Sequence, residues 1–311
     1  SQGLFVLGKN AATPQRQPAL GTSSILSTFE DREGNLWIGT ETSGLDILRQ
    51  QSFHAIPALS DHIVTAIAQA SDGAMWIGTN GDGLDRWQSG SLRHFSTGSG
   101  LLSEVILSLV PGVDGSIWVG TPDGLNHIEG SKITAYTSAD GLPDDLIRSL
   151  LVDSDGSLWI GTRRGLAHWQ NNHFTTYTQD NGLKSNLIGV LLQPRASGSS
   201  HDLWIGTLNG LSRLHNGKIT TYTTQNGLSG DVITALAEDS HGTLWIGTNG
   251  SGLSHYSDGI FTSLHRQDLP QAIDSILESS QGVLWLSSTH GITRVSTANL
   301  VSCGVSLDCN L

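Results

Sequence analysis

The sequence is poor in charge and in residues that suggest redox or metal chemistry. Of its 311 residues only 14% are charged, eight are proline, two are cysteine and one is methionine. Typical globular chains carry roughly 25% charged residues, and a coiled coil needs heptads rich in Glu and Lys, so a coiled coil is excluded. No apolar run approaches the roughly 18 residues of a membrane helix. The first ten residues also lack the basic segment and apolar run of a signal peptide, so we expect no membrane insertion by this chain.

The charge that is present is mostly negative. Sixteen basic and 28 acidic residues give a formal net charge of −12. Such a chain repels a phosphate backbone, so we expect no nucleic-acid partner.

The abundant residues are glycine, with 38 copies, and tryptophan, with nine. The segment Leu36-Trp37-Ile38-Gly39-Thr40 recurs in related form around six later tryptophans, at spacings of 39, 42, 41, 45, 41 and 40 residues. A repeat period near 40 indicates either a propeller or a helical array. The six later tryptophans are Trp76, Trp118, Trp159, Trp204, Trp245 and Trp285.

Turn signals within each repeat decide between these two architectures. Turn-forming and helix-breaking residues recur at short intervals within each repeat, which excludes long helices and leaves four short strands per repeat. In one repeat we assign the strands to residues 146–152, 158–162, 165–169 and 174–178. The sequence therefore predicts an all-β fold, a seven-bladed β-propeller with four antiparallel strands per blade. We expect the recurring tryptophans to be its packing unit rather than a ligand platform.

The ends of the chain depart from the repeat. We assign residues 23–298 to the propeller, residues 1–22 to an N-terminal closing strand and connector, and residues 299–311 to a tail. The seventh blade has no obvious fourth strand, so we expect the run Leu4-Phe5-Val6-Leu7 to pair into it. Alternatively, Gly3-Leu4 aligns with the Gly-Leu of a third strand, and the chain begins inside a truncated repeat.

Both cysteines lie in the tail. Cys303 and Cys309 are close enough in sequence to form a small disulfide ring, which would fit an extracytoplasmic protein. Two free thiols are the alternative.

The repeat also resembles a known family. Asp239 to Leu253 reads Asp-x-x-Gly-x-Leu-Trp-Ile-Gly-Thr-x-x-x-Gly-Leu, and Phe174 to Leu183 reads Phe-x-x-Tyr-Thr-x-x-Asn-Gly-Leu. Both are similar to the two-component-regulator propeller repeat. The resemblance implies the extracytoplasmic sensor propeller of hybrid two-component or diguanylate cyclase receptors, and hence a periplasmic or extracellular location. The sequence contains no kinase or cyclase segment, so we expect either an excised sensor domain or a secreted propeller.

Positions where the repeats differ are the candidates for ligand contact, because variation there is not needed for packing. Arg163 and Arg164 are adjacent cations in an acidic chain and could hold a carboxylate or sulfate. In the inner strands, Arg148 and Asp274 replace uncharged residues and could reach a central channel. The remaining predicted ligand-binding residues are Asn80, Asp82, Asp144, Asp145 and His290. A wider set of polar loop residues comprises Glu41, His62, Glu104, Asp123, Asn186, Asn209, Asp231 and Asn249.

Histidine does not form a predicted metal site. His127, His168 and His255 each follow the glycine of a third strand by three residues, and arginine takes that register in other blades. We therefore expect a structural position that bonds a neighbouring blade. No catalytic motif and no cofactor or metal site is predicted.

These observations favour a non-enzymatic propeller that binds a glycan or a small anionic ligand and acts on an output partner protein. The first alternative is a secreted propeller that self-associates. The second is a lyase-type enzyme, because the virginiamycin lyases are also tryptophan-repeat propellers.

Overall fold

The structure is a computed structural model that describes residues 4–6, 15–17, 24–31, 35–49, 52–195, 202–264, 268–279, 282–298 and 300. The described secondary structure is almost entirely β-strand. The strands are β1 (Leu4–Val6), β2 (Gln15–Gln17), β3 (Ile25–Glu30), β4 (Leu36–Thr40), β5 (Leu45–Arg49), β6 (Ser52–Ala55), β7 (Val64–Gln69), β8 (Met75–Thr79), β9 (Leu84–Gln88), β10 (Ser91–Phe95), β11 (Ser108–Pro111), β12 (Ile117–Thr121), β13 (Gly124–Glu129), β14 (Lys132–Tyr136), β15 (Ile147–Val152), β16 (Leu158–Thr162), β17 (Leu166–Gln170), β18 (His173–Tyr177), β19 (Ile188–Leu192), β20 (Leu203–Thr207), β21 (Gly210–His215), β22 (Lys218–Tyr222), β23 (Ile233–Glu238), β24 (Leu244–Thr248), β25 (Leu253–Ser257), β26 (Ile260–Leu264), β27 (Ser275–Ser279), β28 (Val283–Ser288) and β29 (Gly291–Ser296).

From β3 onward the strands form seven consecutive antiparallel sheets, which we number as blades 1 to 7 and whose strands we letter a to d in chain order. Blades 1 to 6 have four strands each, and blade 7 has three, β27–β29. This is the predicted seven-bladed β-propeller, and the strands assigned in blade 4 differ from β15–β18 by about one residue at some ends. A 3₁₀ turn follows strand d in five blades, at Pro57–Leu59, Thr97–Ser99, Ser138–Asp140, Gln179–Asn181 and Thr224–Asn226.

Two compact units account for the chain. One comprises Ser1–Asp61 and Tyr222–Leu311, and the other comprises His62–Thr221. In the first unit the short strand β1 pairs with β2 and also lies beside β29 of blade 7. The closing role of the N-terminal strand stays a prediction. The second unit holds blades 2 to 4 and nearly all of blade 5.

Strand b is the most buried strand of each blade. All five residues of β16, Leu-Trp-Ile-Gly-Thr, are buried, and the same holds for strand b of blades 1 to 6. Continuous apolar sequence is therefore required instead of alternation, because both faces of the strand are covered. Of the seven recurring tryptophans, six are buried and Trp285 is partly buried. Their predicted role as the packing unit is confirmed.

The glycine of strand b is required by the next blade. A Cβ atom on Gly161 would lie 2.7 Å from Cγ2 of Ile188, at the start of blade 5 strand a. On Gly78 it would lie 2.5 Å from Cγ2 of Ile106, at the start of blade 3. These separations are shorter than van der Waals contact, so neighbouring blades pack closely only where this residue has no side chain.

A buried carboxylate holds the tryptophan in three blades. The indole Nε1 donates to an Asp six residues earlier, in the turn between strands a and b. The three pairs are Trp37–Asp31 at 2.7 Å, Trp159–Asp153 at 3.0 Å and Trp245–Asp239 at 2.9 Å. The sequence indicated only a turn function for these aspartates.

The register shared by histidine and arginine on strand c is structural, as predicted, but its partner differs from the expectation. His127 and His168 stack on the tryptophan of their own blade, with ring centroids 3.8 and 3.9 Å apart. The Nε2 atoms of these two histidines lie 2.8 Å from Ser116 Oγ and Ser157 Oγ, respectively. Residues directly opposite on adjacent strands of a sheet face each other, which is why the contact falls within the blade. The corresponding arginine–tryptophan pairs are Arg86–Trp76, Arg213–Trp204 and Arg294–Trp285, with the guanidinium carbon 5.8, 5.2 and 5.6 Å from the ring centroid.

Candidate functional site

The loop between strands b and c has a fixed hydrogen-bonded frame. In blade 4 the Thr162 hydroxyl donates to the carbonyl oxygen of Gly165 at 2.7 Å and accepts the backbone N–H of Arg164 at 3.1 Å. The same hydroxyl-to-glycine bond forms in all seven blades, with Ser288 replacing threonine in blade 7. The side chains between these two residues are therefore not needed to form the loop.

The segment that enters blade 4 is also built by hydrogen bonds. Thr137 caps the 3₁₀ turn Ser138–Asp140, and Gly141 ends it with φ of 110°, a conformation that favours glycine. The carboxylate of Asp145 accepts the backbone N–H of Ser138 at 2.6 Å and its hydroxyl at 3.2 Å.

The predicted candidate Asp145 therefore has a structural function. The same bond, from a residue seven positions earlier, is accepted by Glu104, Asn186 and Asp231 in other blades. These three belong to the wider candidate set, and they share that function. This hydrogen bond joins residues seven positions apart and forms only because the 3₁₀ turn brings them together. Comparison of the repeat sequences therefore did not reveal it.

Asp144 is the distinctive residue of this segment. Its side chain is 5% exposed, and Oδ1 accepts the backbone N–H of Leu146 at 3.0 Å. Ser103 and Ser185 make the equivalent backbone contact in other blades with a neutral hydroxyl. The carboxylate of Asp144 has an additional role, because its Oδ2 lies 3.1 Å from Arg163 Nη2 and 3.3 Å from Arg164 Nε.

These groups line a cleft of about 380 Å³ at the b–c loop of blade 4. It brings together four predicted residues, Arg163, Arg164, Asp144 and Asp145, with Asp123 of the wider set. The guanidinium side chains stay accessible, at 55% exposure for Arg163 and 72% for Arg164. The remaining lining residues, which the sequence did not single out, are Pro122, Ser138, Pro143 and Leu146.

The other predicted residues lie outside this lining. Asn80 and Asp82 are exposed on the b–c loop of blade 2, where the Asp82 N–H donates to Thr79 Oγ1 at 3.1 Å. His290 is exposed on the corresponding loop of blade 7. Their ligand contacts remain predictions. Cys303 and Cys309, with the predicted bridge, lie outside the described residues.

Arg148 occupies the bulged position of a strand a. The register of β15 shifts between Ile147 and Ser149, which leaves exposed Arg148 outside the ladder. Asp274 precedes β27, the strand a of blade 7, and partial desolvation raises the pKa of its carboxyl.

Two clusters of metal-ligating groups occur among the described residues, Asp114 with His127 and Glu129, and Asp239 with His241 and Glu278. The carboxylates of both clusters already have partners, since Asp114 accepts from Ser116 in its turn and Glu129 pairs with Lys132. Asp239 accepts the N–H groups of His241 and Thr243 as well as the Trp245 indole, and Glu278 accepts from Ser240. Burial lowers the pKa of both His127 and His255. Across the described ranges, no helix is long and apolar enough to cross a bilayer.

The seven sheets define the chain as a seven-bladed β-propeller. The sequence profile of the family "Two component regulator propeller" matches residues 19–42, 58–81, 141–164 and 227–250. Four segments of the chain therefore match the repeat of this family, which the motif also indicated. No curated protein sequence matches the chain.

Solved structures support the same fold. The extracellular domain of the putative hybrid two component system BT3049 from B. thetaiotaomicron is 23% identical, with a TM-score of 0.81; the match covers 96% of this chain and 41% of that one. The corresponding domain of the putative one component system BT4673 is 17% identical over 92% of this chain and 49% of that chain, with a TM-score of 0.51. Virginiamycin B lyase from Staphylococcus aureus is 16% identical over 86% and 93% of the two chains, with a TM-score of 0.69. The chain thus spans less than half the length of these two extracellular domains.

Proposed function

We propose that this chain is the ligand-binding propeller of an extracytoplasmic sensor, and that it binds a glycan or a small anionic ligand without catalysing a reaction. The two component regulator propeller repeats and the similarity in fold to extracellular domains of two-component systems support the sensor assignment. Ligand binding would act on an output partner by changing the geometry of the segments attached to the propeller.

The observation that carries the proposal is the cleft formed by Arg163, Arg164 and Asp144. The repeats share the hydrogen-bonded loop frame but differ in the side chains that it carries. In blade 4 these side chains place two exposed guanidinium groups over a buried carboxylate, although the frame does not need them. Arginine forks bind carboxylate or sulfate with paired hydrogen bonds, and carboxylates accept hydrogen bonds from sugar hydroxyls.

The experiment is a thermal-shift screen followed by calorimetry, with neutral oligosaccharides, acidic oligosaccharides and small carboxylates as ligands. The matched variant is Arg163→Leu/Arg164→Asn, which copies Leu208 and Asn209 from the same loop of blade 5, where the backbone frame is identical in kind. Lys218→Gln removes a cation outside the cleft and is the control.

We expect a bound ligand whose affinity falls at least tenfold in the double variant and stays unchanged in the control. Equal affinity in all three proteins would remove the cleft from the proposal. Absence of binding, together with concentration-dependent assembly in analytical ultracentrifugation, would favour a self-associating propeller instead. Turnover of a bound ligand would favour a lyase.

A further inference from the structure

The cleft at blade 4 carries charges of both signs, and the two signs come from different segments of the chain. The cations, Arg163 and Arg164, come from the b–c loop of blade 4. The accessible carboxylates come from earlier segments, Asp123 from the b–c loop of blade 3 and Asp145 from the segment leading into β15. The two arginines can therefore attract an anionic group of a ligand, and Asp123 with Asp145 can attract a cationic group.

The two arginines have hydrogen-bond donors and charge that Asp144 does not use. Asp144 engages Nη2 of Arg163 and Nε of Arg164, whereas each guanidinium offers five N–H donors. Two guanidinium groups on one carboxylate leave a formal charge of +1. Because Asp144 carries a single negative charge, it holds the two arginines without neutralising both.

The carboxylates of Asp123 and Asp145 also have acceptor sites that the protein does not use. Each oxygen of Asp145 accepts one hydrogen bond from Ser138, although a carboxylate oxygen has two lone pairs. Asp123 is exposed, and its backbone N–H, not its carboxylate, makes the loop contact with Thr121. Together the two carboxylates outweigh the residual charge of the arginine group by one unit.

A purely anionic ligand would meet Asp123 and Asp145, and a purely cationic ligand would meet the two arginines. Within a cleft of about 380 Å³ neither ligand avoids the group of like charge. We propose that the cleft selects a zwitterion, a free α-amino acid or a short peptide, with its carboxylate on Arg163 and Arg164 and its ammonium on Asp123 and Asp145. This inference rests on the proposed ligand-binding function of the cleft and assigns it a zwitterionic ligand instead of a glycan or a simple anion.

The size and the apolar lining agree with this class. A cleft of this volume lies in the range of small-molecule sites, and Pro122, Pro143 and Leu146 offer surface for a short side chain. Serine at position 138 adds a hydroxyl next to the carboxylate of Asp145.

The first test is calorimetry with the twenty common L-amino acids and dialanine, using the full chain. The tightest amino acid is then compared with its analogue lacking the amino group and its analogue lacking the carboxylate. We expect each analogue to bind at least tenfold more weakly than the amino acid, because each leaves either the arginines or the two carboxylates without a ligand partner.

A second test uses variants that should change the affinities for the amino acid and for its analogue in opposite directions. Asp123→Asn and Asp145→Asn copy Asn209 and Asn186 of blade 5, so both loops keep their backbone contacts. The double variant should weaken amino-acid binding at least tenfold and strengthen binding of the analogue that lacks the amino group. Arg163→Leu/Arg164→Asn should weaken both, and Lys218→Gln should change neither.

Binding of a neutral oligosaccharide or a simple carboxylate, with no amino acid bound, would overturn the zwitterion assignment and leave the proposed function intact. Loss of amino-acid and analogue binding to the same extent in the Asp123→Asn/Asp145→Asn variant would also overturn it. No binding of any ligand class would contradict both proposals.

Discussion

The indole Nε1 of Trp159 donates a 3.0 Å hydrogen bond to the carboxylate of Asp153, and both residues are only 2% exposed. Asp153 also accepts the Gln193 side-chain amide from blade 5 at 2.5 Å, so one carboxylate ties the turn, the tryptophan and the next blade together. Blades 2 and 3 carry Ala70 and Gly112 at the equivalent position. The contact is thus a stabilising feature of particular blades rather than a condition of the fold.

Asp153→Ala should therefore destabilise the protein without abolishing folding. It leaves the buried indole N–H without its acceptor, and we expect a loss of about 2–4 kcal/mol in the free energy of unfolding. Urea denaturation measures it. Asp155→Asn, at an exposed position of the same turn, should cost less than about 1 kcal/mol, and an equal loss in both variants would contradict the assigned role.

Gly161→Ala should destabilise through overpacking. The new methyl group would be forced against the Ser149 hydroxyl of its own blade and against Ile188 of the next blade, 2.7 Å away, and overpacking of this kind costs about 1–3 kcal/mol. Thermal unfolding of the variant measures the effect. Gly98→Ala, where the nearest atom lies at 3.5 Å, is the control; a similar melting temperature for both variants would refute the argument.

Asp46→Asn should stabilise the protein, and only above acidic pH. Asp46 is 5% exposed, and burial raises the pKa of its carboxyl from 3.8 to about 6. The folded state therefore holds this proton more tightly than the unfolded state, so the ionised carboxyl costs stability as pH rises above 3.8, and the cost is complete above pH 6.

Asparagine cannot ionise, and it already occurs in the same strand-c position as Asn126. We expect a gain on the order of 1–3 kcal/mol at pH 7.5 and almost none near pH 3.5, measured by urea denaturation at both values. A gain that does not depend on pH would show that the ionised carboxyl is not its cause.

His127→Arg/His255→Arg should reduce the loss of stability in weak acid. Burial lowers the pKa of both imidazoles, so the unfolded chain binds protons that the folded chain excludes as pH falls below the ordinary value of 6.5. Arginine is the residue that other blades place over the same tryptophan face. The difference in melting temperature between pH 7 and pH 5 should be smaller in the variant than in the wild type. An equal difference in both proteins would oppose the prediction.

Deletion of residues 1–8 should lower the melting temperature sharply. The reason is that β1 lies beside β29, where blade 7 has three strands among the described residues and the other blades have four. Scanning calorimetry of the deletion variant and of the full chain measures the effect. No matched control deletion exists, because removing any other strand would cut the chain. An unchanged melting curve would refute the closing role.

The fold was predictable because its signal is repeated. The Leu-Trp-Ile-Gly-Thr strand is buried on both faces in six blades, so selection acts on the same residues each time. Arg163 and Arg164 were found as departures from that pattern. The function of Asp145 was not, because its partner Ser138 is reached only through the 3₁₀ turn. Nor did sequence distinguish Asp144 as buried, since burial of a loop carboxylate depends on the arginines folded over it.

The threonine hydroxyl at the end of strand b spans its loop without help from the side chains in between. Substitutions at those positions consequently change the free energy of folding little, and each blade can change them independently of the others. A protein with this construction can acquire a new specificity by point mutation in a single loop, while the other loops keep their chemistry. Differences among relatives should accordingly accumulate between that threonine and the glycine that follows it.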